Sequence, residues 1–220
     1  MDYESKILLN NLIDAVNGID WWVVGITFVN AAIMVWLGWN QYKLQKRQTE
    51  AQEYDIYRKL YTLLSNANKE IDGFLFNLWD ALCEPTYKID KDYLQRKLTL
   101  IDNLRKDLSE SYIDYELKFS KDTFNKDGYL QILSLMSYII QHTILLLGKN
   151  EIQLTNSMRG FDSDRDKKDE IYAISIVKCF PRGHWQIVLK QNLELFIQQK
   201  RIVRCDNAIL DNIKEKCKID

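Results

Sequence analysis

The sequence predicts an all-α chain in which one N-terminal transmembrane helix continues into a cytoplasmic helical bundle. Three observations predict it. Only 8 Gly and 2 Pro occur in 220 residues, too few breakers for a fold of many strands and tight turns. Residues Trp21–Tyr42 form a 22-residue run without a charge, and a helix of about 20 apolar residues crosses a ~30 Å hydrocarbon layer. Downstream, apolar residues recur at intervals of three and four over long stretches, the period of a helix with one buried face. The chain accordingly divides into a short amphipathic segment at 1–20, a membrane helix at 21–42 and a bundle at 43–220.

Composition narrows the function classes. A hydrophobic content of 46% excludes a disordered linker, and 30 basic against 31 acidic residues give no global signature of a polyanion binder. Cys83, Cys179, Cys205 and Cys217 form no CxxC pair, and His142 and His184 stand 42 positions apart. Neither a disulfide framework nor a structural zinc site has that spacing, so reduced thiols in a cytosolic compartment are expected.

At the N terminus, Ile7, Leu8, Leu12, Ile13 and Val16 recur at helical intervals. This helix suits an interfacial position or packing on its own copies. Asn17-Gly18 ends it, and Asp20 is placed to cap the next helix. In that helix Trp21 and Trp22 mark one end and Trp36, Trp39 and Tyr42 the other, as at the two interfaces of a bilayer. A cleaved signal peptide would need a basic leader, yet residues 1–20 carry Asp2, Glu4, Asp14 and Asp20 against Lys6. The following flank holds Lys43, Lys46, Arg47, Arg58 and Lys59 against three acids. The positive-inside rule then predicts the N terminus outside and residues 43–220 in the cytoplasm of a bacterium, with one pass through the inner membrane.

Thr27, Asn30, Met34, Gly38 and Gln41 fall on one face of this helix. An amide near mid-membrane needs another helix or water beside it. Two readings of the stripe are open, a helix–helix contact within an oligomer and a pore wall. Both require self-association.

No Gly or Pro lies between Gly38 and Gly73, so the membrane helix is expected to run on toward Glu84-Pro85. Leu94, Leu98, Ile101, Leu104, Leu108, Tyr112, Tyr115 and Phe119 predict a helix over about 90–119, capped by Asp90 or Asp92. A further apolar helix is expected over about 124–147, ending at Gly148. Its charge-free run is long enough for a second crossing. However, Gln131, Ser134, Ser137, Gln141, His142 and Thr143 favour a bundle helix. Residues 149–170 read as irregular, IYAISIVKCF as helix or strand, and His184 to Lys216 as one long helix.

No catalytic motif is intact and no cofactor or metal is expected. Asp162, Asp164 and Asp166 alternate like calcium-loop ligands, but Lys167 and Ala173 replace the Gly and Glu such a loop needs. Gly148-Lys149 lacks the following Ser or Thr of a phosphate loop. His184, in the sequence PRGHW, is a candidate acid–base group, although capping or packing explains it more simply. Arg182, His184, Lys200, Arg201 and Arg204 are the candidate contacts for RNA or anionic lipid headgroups, in a tail with nine basic and four acidic residues from Lys178 to Lys218. A solvated basic face is the simpler alternative.

The Trp21–Tyr42 span, the Lys43/Lys46/Arg47 flank and the helical remainder together resemble the membrane-anchored accessory and effector proteins of bacterial antiviral defence, especially those of type VI CRISPR loci. The resemblance implies a HEPN-like helical bundle, assembly into a membrane pore, and RNA or an RNA-guided effector as partner. HEPN ribonucleases place an Arg several residues before a His, whereas Arg182 is only two before His184. The departure speaks against RNA cleavage and for assembly. The resulting expectation is a non-enzymatic membrane effector that self-associates in the lipid bilayer. A tethered RNA-binding or ribonuclease-like module and a scaffold without conductance are the alternatives.

Overall fold

The computed structural model describes residues 3–18, 20–83, 90–118, 126–148, 165–180, 182–205 and 208–217. Among them every regular element is an α-helix, in the order α1 (Tyr3–Asn17), α2 (Trp21–Cys83), α3 (Lys91–Lys118), α4 (Lys126–Leu147), α5 (Arg165–Lys178), α6 (His184–Cys205) and α7 (Ala208–Cys217). The chain forms two compact units, Met1–Glu53 and Tyr54–Asp220. Residues 43–53, expected with the bundle, thus fall in the first unit.

Helix boundaries follow local chemistry. The Gly18 amide donates to the Asp14 carbonyl at 3.0 Å as α1 ends. Asp20 caps α2, its Oδ1 accepting from the Trp22 amide at 3.1 Å. Asp90 does the same for α3, accepting from the Asp92 amide at 3.0 Å. The α2 helix is uninterrupted over 63 residues, in keeping with the absence of Gly and Pro between Gly38 and Gly73.

In the second unit, Tyr57, Leu60, Leu64, Ala67, Ile71, Phe74 and Leu78 of α2 are buried. Their alternating steps of three and four are a heptad seam. Around that seam Phe74 meets Phe196 of α6 at 4.9 Å between ring centroids, and Tyr57 meets Tyr115 of α3 at 5.9 Å. The α3 helix packs on α4, α4 on α6, and α5 on α6. Two polar groups inside this core are tied down: Ser137 donates to Asp102 Oδ1 at 2.8 Å, and Thr143 to its own helix at Ile139 O, also 2.8 Å. Half of the apolar window of α4 is buried, against none of that of α2. The α4 helix is therefore part of the bundle core, as its interrupting polar residues implied.

One open reading is decided and two expectations change. The segment IYAISIVKCF, open between helix and strand, is helical through Lys178, and residues 165–170, expected to be irregular, form the start of that helix, α5. The single helix expected from His184 to Lys216 is two, α6 ending at Cys205 and α7 beginning at Ala208. The Glu84-Pro85 turn, Phe119, Lys149, Asp162, Asp164 and Pro181 lie outside the described residues, as does the side chain of Asp166.

Candidate functional site

In the first unit no described side chain is buried. The α1 helix shows Tyr3, Leu8 and Leu12 to solvent, and α2 adds Trp21, Trp22, Phe28, Met34, Val35, Trp36 and Trp39. A continuous apolar surface of this size on a water-facing helix would be costly at about 25 cal/mol per Å². By length and composition the start of α2 is able to cross a membrane.

The five stripe residues lie on one unbroken helix. At 100° per residue they share an arc of about 80°. They differ in what they need. Thr27 Oγ1 donates to the Val23 carbonyl at 2.8 Å, so its hydroxyl is satisfied within the helix. The Asn30 amide makes no hydrogen bond among the described residues and is exposed. Met34 is 70% exposed, and a Cβ added at Gly38 would meet nothing within 4 Å. Gln41 is exposed at the C-terminal end of the stripe. The face therefore combines two exposed amides, a flexible thioether and a gap that admits close backbone approach.

On the far side of this helix, Lys43 Nζ lies 5.6 Å from the centre of the Trp39 ring, and Trp39 and Tyr42 are 6.2 Å apart. A cation held beside two amphipathic rings suits a headgroup level.

The second candidate group does not form one patch. Arg182 and His184 are exposed at the start of α6, with the His184 ring 6.1 Å from Trp185. Lys200 lies about 24 Å further along the helix axis. Lys200 is no surface contact. It is 2% exposed, and its ammonium is 2.8 Å from Asp169 Oδ2, 3.4 Å from the Asp72 carbonyl and 4.0 Å from Asp72 Oδ1. The correction has a plain cause. Burying an ammonium is tolerable only beside a counter-charge, and α5 supplies one. Arg201 is exposed but paired with Glu170 at 3.1 Å, and the Arg204 side chain lies outside the described residues.

His142 sits in the core between Tyr138 at 4.2 Å and Trp185 at 5.5 Å. Burial holds its imidazole below the usual pKa of about 6.5. Trp185 thus lies against both histidines. Among the described residues no group of three or more His, Cys, Asp and Glu is placed to hold a metal ion. An open groove of about 510 Å³ between α5 and α6 has an apolar floor at Ala173, Val177, Leu193 and Ile197.

Sequence reasoning missed Asp169 and Asp72, because their pairing with Lys200 spans α2, α5 and α6. It also stopped the polar stripe at Gln41, although Gln45, Gln48 and Gln52 continue it at the same spacing. No protein-family model, no curated protein and no solved structure matches the chain.

Proposed function

We propose that this chain is a non-enzymatic membrane effector that self-associates through α2 and forms a pore. In this reading Trp21–Tyr42 crosses a bacterial inner membrane once, with the N terminus outside and the bundle in the cytoplasm. Thr27, Asn30, Met34, Gly38 and Gln41 face the assembly axis. The observation that carries it is the wholly exposed apolar surface at the start of α2, in contrast to the half-buried α4. The unsatisfied Asn30 amide supports self-association, since one span has no second helix of its own to offer. A role in antiviral defence beside an RNA-guided effector follows from the resemblance in architecture. The RNA-binding alternative loses ground on the burial of Lys200 and the pairing of Arg201.

The test is the detergent-corrected mass of the purified particle by light scattering, with dye release from liposomes. A ring-sized oligomer that releases dye supports the reading; a ring that does not is a scaffold, and a monomer refutes self-association. Asn30→Leu should weaken each helix contact by about 0.6–2 kcal/mol, a shift of roughly 3–30-fold in the association constant. Unchanged mass and unchanged leakage would sink the role given to Asn30.

A further inference from the structure

The unbroken course of α2 fixes where residues beyond the apolar run face. Thr27, Ala31, Met34, Gly38, Gln41, Gln45, Gln48 and Gln52 step by four and three without exception. That is a heptad seam, the pattern by which like helices pair side by side. Its last four members are glutamines, all exposed. Beside them, Thr49 Oγ1 donates to the Gln45 carbonyl at 2.9 Å, so the hydroxyl next to the glutamines is satisfied by its own helix.

Charge is sorted the other way. Lys43, Lys46, Arg47 and Glu50 all project from the side roughly opposite the glutamines, at 100° per residue. Trp36 and Trp39 share that side. Three of these charges are engaged within the chain: Lys46 lies 3.9 Å from Glu50, and Lys43 lies against Trp39. Between residues 41 and 52 one face thus carries only neutral amides and a threonine, and the other carries every charge.

We infer that the Gln41–Gln45–Gln48–Gln52 face packs on the same face of neighbouring copies of this chain around the assembly axis, in a parallel arrangement that carries the membrane contact outward along α2. The inference rests on the membrane-assembly reading above, which makes the copies parallel and sets Met34 and Gly38 in register. Charge chooses the face. Parallel copies in register set each residue near its own counterpart, so contact through Lys43, Lys46 and Arg47 would oppose like charges. The glutamine face opposes none. A primary amide is also its own complement, since it carries two donors and one acceptor oxygen. Glutamines give little hydrophobic drive, so this face sets register and orientation while the apolar span supplies the affinity.

The test uses the full chain in its native membrane, with the photo-crosslinking residue p-benzoylphenylalanine placed singly at positions 34, 43, 45, 47, 48 and 52. Irradiation should yield covalent homodimers several-fold more abundantly from Gln45, Gln48 and Gln52 than from Lys43 and Arg47. Dimers from Met34 with none from the three glutamines would overturn this inference and leave membrane assembly standing. Dimers from neither group would overturn both. Equal yields from the glutamines and from Lys43 and Arg47 would overturn the choice of face. As an independent measure, Gln48→Arg should lower the particle mass, because it sets a cation against its copy, and an unchanged mass would count against the pairing.

Discussion

Replacing Lys200 by Met removes the ammonium and keeps most of the stem, so it isolates the charge at the junction of α2, α5 and α6. In the parent that ammonium is 2.8 Å from Asp169 Oδ2, with side-chain exposures of 3% and 12% for the pair. The variant strands the Asp169 carboxylate in a site with little water. Breaking one side of a buried pair costs about 3–5 kcal/mol. Asp72 adds little, being 4.0 Å away with its side chain 38% exposed. For a domain of ~150–250 residues each kcal/mol moves the melting temperature by about 2–4 °C, so the drop should be about 6–20 °C. Thermal melting of the full chain followed by circular dichroism reads it. The double variant Lys200→Met/Asp169→Leu removes both charges and should recover most of the loss. Lys46→Ala, which breaks an exposed pair, should move the melt by less than about 1 kcal/mol in stability. A Lys200→Met melt no lower than that of Lys46→Ala would refute the buried-pair reasoning.

Three further outcomes follow from the same core. Because burial lowers the folded-state pKa of His142, the unfolded chain takes up its proton first as pH falls below about 6.5. Stability should therefore decline from pH 7.5 through 6.5 and level off once the folded state also protonates; His142→Gln should flatten this part of a urea-midpoint profile, and an unchanged slope would exclude His142 as its source. Burial, and then the neighbouring Cys83, push the Cys179 thiol up to about 12, so at pH 8 maleimide should leave Cys179 unlabelled in the folded chain and label it in urea, as read by peptide mass. Phe196 is fully buried 4.9 Å from Phe74, and Phe196→Ala should cost about 3–5 kcal/mol in urea unfolding; a cost below that of an exposed Leu195→Ala would contradict the packing.

The parts of the fold legible in the sequence were those governed by neighbours along the chain. The Asp20 and Asp90 caps, the course of α2 past Gly38 and the apolar face of α3 all depend on residues within one or two turns. Ser134 and Ser137 likewise marked α4 as a bundle helix before their partners Arg105 and Asp102 were placed. Lys200 shows where such reading ends. Beside Arg201 and Arg204 it looks like one of a basic cluster, but its fate depends on Asp169 and Asp72, far away in sequence. The break between α6 and α7 was equally hidden, because no Gly or Pro lies between His184 and Lys216 to announce it. In IYAISIVKCF, β-branched residues argued for strand as much as for helix until packing on α6 decided. The polar stripe of α2 was legible as a face, since that needs only the helical period. Its extension through Gln52 needed the knowledge that α2 keeps its phase beyond the apolar run.

Residues 43–52 of α2 have no buried side chain at all. Their helical form in a lone chain depends on intrinsic propensity and on pairs such as Lys46–Glu50, worth only about 0.2–0.5 kcal/mol each. Local opening there is cheap, and backbone amides in such a stretch exchange with solvent through small, frequent excursions. Contact with another helix along the glutamine side would raise the free energy of those excursions without altering the backbone geometry. If chains pair there, the slowing of amide exchange across these ten residues would report the pairing, and a stretch without a core of its own would be the one most sensitive to company.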